Sequence, residues 1–450
     1  MVFLFSMFMA YSGFANLIHT ASEPLAGDNF LKFVEELTSI TNIQMMEAQG
    51  LTMGRSKLEP WSGSYWPIHK GIIGARYVNK KFPRSSSFET NYERFLSESA
   101  ESIVASGRLN ELSPSEKYDL LIGDPEWSLT KLMWKKGRDQ FERDGFVAGW
   151  TGICHGWAAA SHLLPESPYY PVTLNDVTDK YAITFHANDI KGLISWVWAS
   201  APPTSYRAGD RCRQSVVKVD PTLRPLEASC LDSNPMTWHL AIINKVGLQQ
   251  KSLVMDSSRG TEVWNYPITS YSYHYFDPKT FIPTESLNKA IRGKSEMPLD
   301  RYSIFRSPRT FFIVGIIMEI THPALTIPTV GITSRNTTKK MTFIYDLELD
   351  ENRNIVGGEW FSKANPDFIW SYPASSRAVS FEESNLSPEL AAWSVDQSTL
   401  PVSLAELAKE SSRRGRVLNI ISSALLTASS KKGEPLPEEI VAEEEEIEED

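Results

Sequence analysis

In the first third of the chain, hydrophobic residues are spaced three and four positions apart, as on one face of an α-helix. Residues 30–37 show this spacing directly after the capping residue Asp28, and it recurs from about Ser87 to Gly107 and around Leu129–Arg143. Residues 16–149 are therefore predicted to be mainly helical. Whether they include a removable pro-region stays open at this stage.

From Trp238 to about Phe368 the pattern changes to short β-branched and aromatic runs, bounded by Gly, Pro, Asn and Asp. Such runs are typical of antiparallel strands. The apolar run Phe311–Met318 has the length of a buried strand and is far shorter than the roughly 20 residues that cross a bilayer. Because helices come first and strands later, we predict an α+β fold and no stable membrane insertion.

The C-terminal residues 401–450 form a region of their own in this pattern. An amphipathic segment, Leu404–Leu426, leads into Glu434–Asp450, which holds ten acidic residues and no Lys or Arg. An acidic run of this kind cannot bury apolar area, so the tail is expected to be disordered.

The chain has 450 residues, of which 42% are hydrophobic and 22% are charged, and these can bury a large core. Its net charge is −10, but outside the acidic tail it holds 45 acidic and 45 basic residues. A balanced body lacks the positive charge that a polyphosphate backbone attracts. Nucleic acid is therefore not expected as a partner.

The first residues, Met1–Ala15, are uncharged and mostly apolar, and the small residues Gly13 and Ala15 define a cleavage point before Asn16. These are features of a signal peptide, which predicts a secreted or periplasmic protein. The run lacks the usual basic residue at its start. An uncleaved apolar N-terminus or an early start codon is therefore the alternative.

An exported chain with three cysteines can form one disulfide and leaves one thiol. Cys212 and Cys230 are the natural pair, because they flank a polar, Pro-containing loop. Closing a loop of that length stabilises the fold by roughly 3 kcal/mol on chain-entropy grounds. Cys154 is then the free cysteine.

The segment GWTGICHGWAAASHLLPESP places Cys154 between a Gly-containing turn and an Ala-rich run that Pro165 ends. Cys154 is thus predicted at a helix N-terminus. Unpaired N–H groups and the helix dipole stabilise a thiolate there, so we expect a lowered thiol pKa and a nucleophilic sulfur. The same N–H groups can donate to an oxyanion. The alternative is a small buried hydrophobic residue, the commoner fate of a free Cys.

A nucleophilic Cys needs a base, normally His, and a group that orients the imidazole. The runs WHLAIINKV and QQKSLVMDSS alternate like two strands, and a turn at Gly247-Leu248 would place His239 opposite Asp256. Each residue has an alternative explanation, since a strand His can be half buried and hydrogen-bonded and a strand-end Asp often begins a turn. The adjacent His155 is expected on another helix face, in a structural role.

Metal-ligand patterns such as HExxH or paired CxxC do not occur in the sequence. Cys154, His155 and His162 lack a fourth partner at a familiar spacing. No metal or cofactor is therefore expected, while a calcium requirement stays open.

Several motifs resemble one known family. In chain order they are WSGSYWPIHKGIIGARY, KYDLLIGDPEWSLT, GWTGICHGWA with Cys154, NPMTWHLAIIN with His239, VMDSSRGTEVWNYP with Asp256, and IVGGEWFSKANPDFIW. On these motifs, between about residues 58 and 372, the chain is similar to the transglutaminases related to the oomycete cell-wall elicitor, which also occur in bacteria. One departure is ANPDF, where the family more often has a His before the Pro.

The resemblance implies a papain-like, transglutaminase-like α+β fold, with the catalytic helix and the antiparallel sheet in residues 150–400. It also implies protein-glutamine γ-glutamyltransferase activity. Cys154 would form a thioester with a glutamine side chain, and a lysine or another primary amine would take over the acyl group. His239 would shuttle the protons and Asp256 would orient it.

Two other functions stay open. A papain-like cysteine protease or amidase would resolve the same thioester with water, and a non-catalytic surface or recognition protein would keep the fold with an inert Cys154. Trp150 or Trp157 could wall a slot that excludes water or donate an indole N–H to the oxyanion, although packing is the preferred role of Trp157. The expected partners are proteins or peptides that carry Gln and Lys.

Overall fold

The computed structural model describes residues 20–430, except residues 35, 81, 83–84, 165, 215, 222, 259–260, 331–335, 362–364 and 398. The predicted signal peptide, Met1–Ala15, and the acidic tail, Glu434–Asp450, lie outside the described residues. Within the described part of the chain, no helix has the length and apolar character needed to cross a membrane.

Helices dominate the chain before residue 201 and return at its C-terminal end. They are α1 (Ile43–Ala48), α2 (Phe88–Leu96), α3 (Ala100–Ala105), α4 (Pro114–Leu121), α5 (Ser128–Asp144), α6 (Cys154–Leu163), α7 (Ala187–Ser200), α8 (Pro235–Ile242), α9 (Leu287–Ala290), α10 (Pro388–Ala391), α11 (Val402–Arg413) and α12 (Asn419–Ser430). A π-helical turn, Ile243–Leu248, extends α8.

The described strands pair only in antiparallel fashion. They are β1 (Met53–Arg55), β2 (Val172–Asn175), β3 (Ala182–Phe185), β4 (Tyr206–Gly209), β5 (Val254–Asp256), β6 (Asn265–Pro267), β7 (Ser270–Phe276), β8 (Pro283–Thr284), β9 (Arg292–Gly293), β10 (Phe312–Pro323), β11 (Thr338–Leu349), β12 (Ile355–Gly357) and β13 (Phe368–Ser371). Seven of them form a large sheet in the order β1-β7-β10-β11-β12, in which β8 pairs with β7 and β9 with β10. A four-stranded sheet has the order β4-β13-β5-β6, and β2 pairs with β3. The α+β fold and the buried strand at β10 confirm the sequence prediction.

The four-stranded sheet separates two hydrophobic cores. The first core surrounds α6, α7, α11 and α12, and the second core lies between α8 and the large sheet. Side chains alternate along a strand, so that Val254 and Trp370 enter the first core while Met255 and Ile369 enter the second. The helix that carries Cys154 therefore packs on one face of this sheet and α8 packs on the other.

The terminal helical regions differ in detail from the prediction. The segment after Asp28 forms two 3₁₀ turns, and the helix predicted between Ser87 and Gly107 is split into α2 and α3, because Ser99 caps a new helix. The helix predicted around Leu129–Arg143 is confirmed as α5. Helices α11 and α12 are not a loose extension, since their Leu and Ala side chains complete the first core.

The predicted hairpin that carries His239 is wrong. This segment forms α8 and its π-helical extension, so a strand turn at Gly247-Leu248 does not exist. The start signal is Asn234-Pro235: the Asn234 side chain accepts a hydrogen bond from the first helical turn, and Pro235 occupies the first helical position. Proline costs no hydrogen bond at this position, because the N–H of the first helical residue has no partner inside a helix.

Cys212 and Cys230 form a disulfide, as predicted, with their Cα atoms 4.2 Å apart. The bond closes the connection between β4 and α8. Cys154 is the remaining cysteine of the chain and is a free, buried thiol.

Candidate functional site

Cys154 occupies the first residue of α6, as the sequence predicts. The preceding loop and the first helical turn are tightly packed around it. A Cβ atom on Gly152 would lie 2.4 Å from the Tyr65 carbonyl oxygen, and one on Gly156 would lie 2.1 Å from the Ser195 carbonyl oxygen. Glycine is therefore required on both sides of the thiol, and these close contacts fix its position.

The sulfur lies in a short hydrogen-bonded chain. Asn265 donates from Nδ2 to the Cys154 Sγ at 3.4 Å, and the thiol in turn lies 3.6 Å from the carbonyl oxygen of Val263. The Oδ1 atom of Asn265 accepts a hydrogen bond of 2.6 Å from the Trp370 indole. Because Trp370 occupies the amide oxygen, the amide nitrogen of Asn265 is directed at the sulfur.

The pKa of the Cys154 thiol is raised, contrary to the sequence-based expectation. Burial is the largest cause, and the negative charge of Asp256 acts in the same direction. The side chain and backbone N–H of Asn265 and the backbone N–H of His155 lower the pKa but do not compensate for burial. The helix N-terminus alone therefore does not make this thiol acidic.

Asp256 lies on the same face of the sheet as Asn265, because the two residues are directly paired between β5 and β6. Its Oδ1 accepts hydrogen bonds from the Ser258 hydroxyl at 2.7 Å and from the Trp264 backbone N–H at 2.8 Å. Its Oδ2 is buried and has no hydrogen-bond partner among the described residues. Burial raises the pKa of this carboxyl group. The structure thus brings Asp256 and Cys154 together through Asn265.

His239 lies elsewhere, and the predicted pairing of His239 with Asp256 is wrong. Its Nδ1 is 2.8 Å from the Tyr345 hydroxyl, and its ring packs edge-on against Tyr273 in the second core. Its Nε2 has no hydrogen-bond partner in the described part of the chain. Burial lowers the pKa of this imidazole to about 3. The four-stranded sheet lies between α8, which carries His239, and α6, which carries Cys154.

Cys154 forms part of the wall of a cavity of about 380 Å³. Trp150 also lines this cavity, whereas Trp157 does not: it is fully buried, and its indole donates to the Trp61 carbonyl oxygen at 3.0 Å. Trp157 therefore has the packing role that the sequence favours. Its N–H is already bonded and is not directed at an oxyanion.

His155 also lines the cavity, beside Cys154. The residue is exposed, and the pKa of its imidazole is lowered, chiefly by desolvation, while the backbone of Ala199 opposes that shift. The imidazole is therefore neutral at neutral pH. The sequence predicts a structural role for His155 on another helix face, whereas the structure places it in the cavity wall with Cys154.

The described residues were also compared with the side-chain arrangements that bind metal ions. In the part of the chain that the structure describes, no group of three or more His, Cys, Asp or Glu side chains is arranged to hold a metal ion.

Asn265→Ala should slow alkylation of Cys154 by iodoacetamide about tenfold at pH 7. The amide that stabilises the thiolate is lost, so the thiol pKa rises further, and a hydrogen bond to a charged group contributes about 1.5–3 kcal/mol. In the wild type, the alkylation rate should continue to rise with pH above the range in which an ordinary thiol titrates, because the pKa of Cys154 is raised. Trp370→Phe, which removes only the anchor of the amide, should show a smaller effect in the same direction. Equal rates for Asn265→Ala and wild type across the pH range would contradict this role of Asn265.

Comparison with known proteins gives one family and one similar structure. The family described as "Transglutaminase elicitor" matches residues 33–387 of the chain. Among solved structures, the chain is similar to the GP42 transglutaminase from Phytophthora sojae, with 20% sequence identity and a TM-score of 0.52. The match covers 73% of this chain and 86% of that chain, and at this identity it shows a common fold. No curated protein gives a significant sequence match.

Proposed function

Because this chain belongs to the transglutaminase elicitor family, we propose that it is a protein-glutamine γ-glutamyltransferase with Cys154 as its nucleophile. The observation that carries the proposal is the environment of the sulfur. A thiol at the start of α6 lines a cavity, and N–H groups of Asn265 and His155 are directed at it. Such groups stabilise a thiolate and then an oxyanion.

The proposed reaction has two halves. The Cys154 thiolate attacks the side-chain carbonyl carbon of a glutamine, and the C–N bond breaks as a proton is delivered to the departing ammonia, which leaves a thioester. A lysine amine then attacks the thioester carbonyl carbon and loses a proton, and the C–S bond breaks to give an isopeptide and the free thiol. The reaction needs no cofactor.

We assign the proton transfers to His155 rather than to His239. His155 follows Cys154 directly in the chain and lines the same cavity as the sulfur, so that its imidazole is the candidate base nearest in sequence to the thiol. Burial and the charge of Asp256 raise the pKa of the thiol, so that a base is needed to take its proton.

The assignment predicts different results for two histidine variants. His155→Gln should lower kcat/KM for amine incorporation at least about tenfold, since general-base catalysis contributes about 10²–10⁴-fold and water replaces part of it. His239→Gln should retain most of kcat/KM but lower the free energy of unfolding, because the Tyr345 and Tyr273 contacts are buried. Loss of activity in a folded His239→Gln protein with normal His155→Gln activity would reverse the assignment.

Hydrolysis of the same thioester is the second candidate function. Arginine side chains line the cavity, and such polar groups do not exclude water, so that water can compete with an amine. The protein would then act as a cysteine protease or amidase on the same acyl-enzyme.

Incubation with casein and a tagged primary amine separates the candidates. Incorporation of the tag, with release of ammonia, supports transamidation. Ammonia release or backbone cleavage without incorporation supports hydrolysis. Absence of all three, with a thiol that does not react with iodoacetamide in the folded state, would contradict both and leave a non-catalytic recognition protein.

Export is proposed together with this activity. The Cys212–Cys230 disulfide suits an oxidising compartment, and proteins there are the expected substrates. Osmotic-shock or medium fractions of expressing cells should contain the chain, and recovery only from the reducing cytosol would contradict the proposal.

A further inference from the structure

The wall of the Cys154 cavity carries an excess of positive charge. Arg207, Arg211 and Arg213 all line it, whereas none of its described lining residues is an Asp or a Glu. The three residues belong to one short segment, β4 and the loop that follows it. We refer to them as the arginine wall.

Two arginines of this wall form no ion pair within the described part of the chain. Arg207 forms an ion pair with Asp210 at 2.6 Å, but among the described residues neither Arg211 nor Arg213 forms one with a carboxylate. The guanidinium group of Arg211 donates to the Thr261 carbonyl, and its buried Nε has no hydrogen-bond partner among described residues. Arg211 is compensated in part, because its positive charge lowers the pKa of the nearby Asp256, whereas Arg213 has no carboxylate partner among the described residues.

The position of the arginine wall is fixed by packing and by a covalent bond. The Arg211 guanidinium lies 5.3 Å from the centre of the Trp150 ring, and the Arg207 guanidinium lies 5.3 Å from that of Phe368. The disulfide residue Cys212 stands between Arg211 and Arg213 and holds this segment to Cys230. The charges are thus held at the cavity rather than spread over a flexible loop.

We propose that the arginine wall selects acyl donors by charge, so that the preferred substrate presents a glutamine with Asp or Glu residues close to it. Guanidinium groups match carboxylates in geometry and charge, and a cavity lined by one sign of charge raises the local concentration of oppositely charged groups. This inference rests on the proposed function, because it names the substrate class of the same site.

Alkylation of Cys154 tests the charge selection without any turnover. Iodoacetate and iodoacetamide both form a thioether and expel iodide, but only iodoacetate is an anion. Cys154 is the free thiol of the chain, so the product reports on this site. The rate constant for iodoacetate is divided by that for iodoacetamide, and this ratio is normalised to the same ratio for N-acetylcysteine. The normalised ratio should be at least about five at low salt, and it should fall as salt screens the charges.

Variants connect this ratio to the arginine wall. Arg211→Gln and Arg213→Gln should each lower the normalised ratio, and the double variant should bring it close to one. Arg309→Gln, an exposed arginine that pairs with Glu23, is the matched control and should leave the ratio unchanged. A wild-type ratio of one, or a ratio that the double variant does not change while thermal unfolding shows an intact fold, would overturn the inference.

Peptide substrates then separate this inference from the proposed function. Three glutamine peptides that differ only in flanking residues, with Glu, Ala or Lys, should show kcat/KM for amine incorporation in that order, and the double variant should lose the order. Equal kcat/KM for the three peptides would overturn the charge selection but leave the transferase. No incorporation with any peptide, together with an iodoacetate preference, would overturn the transferase and leave the charge selection.

Discussion

Cys154→Ala is expected to abolish amine incorporation, by at least about 1,000-fold, while the protein keeps its fold. The proposed acyl-enzyme forms on this sulfur, and no other thiol is free to replace it, because Cys212 and Cys230 are bonded to each other. The substitution removes one small buried atom and its hydrogen bonds with Asn265 and Val263, which should cost about 1 kcal/mol of the free energy of unfolding. Assays of amine incorporation, of iodoacetamide labelling and of denaturant unfolding check the three statements.

The matched control is the double variant Cys212→Ser and Cys230→Ser. It loses two cysteines but retains Cys154, so labelling with iodoacetamide should persist while the free energy of unfolding falls by about 3 kcal/mol. Amine incorporation by Cys154→Ala above the stated level would place the nucleophile elsewhere and remove the proposed mechanism.

Arg306→Met should cause a large loss of stability, about 3–5 kcal/mol in the free energy of unfolding. The Arg306 side chain is fully buried and lies 2.9 Å from Asp300, 2.6 Å from Asp346 and 3.2 Å from Glu348. Burial already raises the pKa of Asp346 and Glu348, and Arg306 opposes that shift. Without the guanidinium group, these carboxylates are left buried without a counter-ion.

The pH dependence of this loss has a defined sign. Removing Arg306 raises the pKa of Asp346 and Glu348 further above their values in the unfolded chain, so the destabilisation is complete at high pH and decreases as the pH falls and the carboxyl groups take up protons. Denaturant unfolding should therefore show a smaller difference from wild type at pH 5 than at pH 8. Arg309→Met, with one exposed ion pair, should cost less than about 1 kcal/mol at either pH. A pH-independent loss would argue against buried charge as its cause.

The sequence predicts much of the fold because its strongest signals are local. The apolar run that becomes β10, the helical spacing of hydrophobic residues in α5, and the Ala-rich run after Cys154 act over a few residues. The disulfide is predicted because Cys212 and Cys230 flank one polar, Pro-containing loop. Each of these signals agrees with the tertiary structure that surrounds it.

The segment around His239 was interpreted wrongly because it is buried on every side. Trp238, Leu240 and Ile242 are all fully buried, so the period of hydrophobic residues cannot distinguish a helix from a strand. The Asn234-Pro235 pair is the signal that could have decided for the helix. Because this segment is a helix, His239 and Asp256 are not paired across two strands.

The role of Asn265 could not be predicted from local pattern. It reaches Cys154 across 111 residues of sequence, and only the pairing of β5 with β6 places it beside Asp256 on the side of α6. The pairing depends on a short connection that has no hairpin signature. The motif VMDSSRGTEVWNYP contained the residue, but nothing in its spacing distinguished an asparagine that contacts sulfur from one that ends a turn.

The disulfide beside the arginine wall has a consequence for where the protein can discriminate between substrates. Cys154, the proposed nucleophile, lies on α6, which contains neither disulfide cysteine, whereas the arginines proposed to select the acyl donor flank Cys212. On the proposed function, reduction should therefore leave the transferase active but less selective for its acyl donor. Before the disulfide forms, a newly made chain would modify glutamines with little dependence on the flanking residues. Formation of the disulfide would then restrict the acyl donors that it accepts.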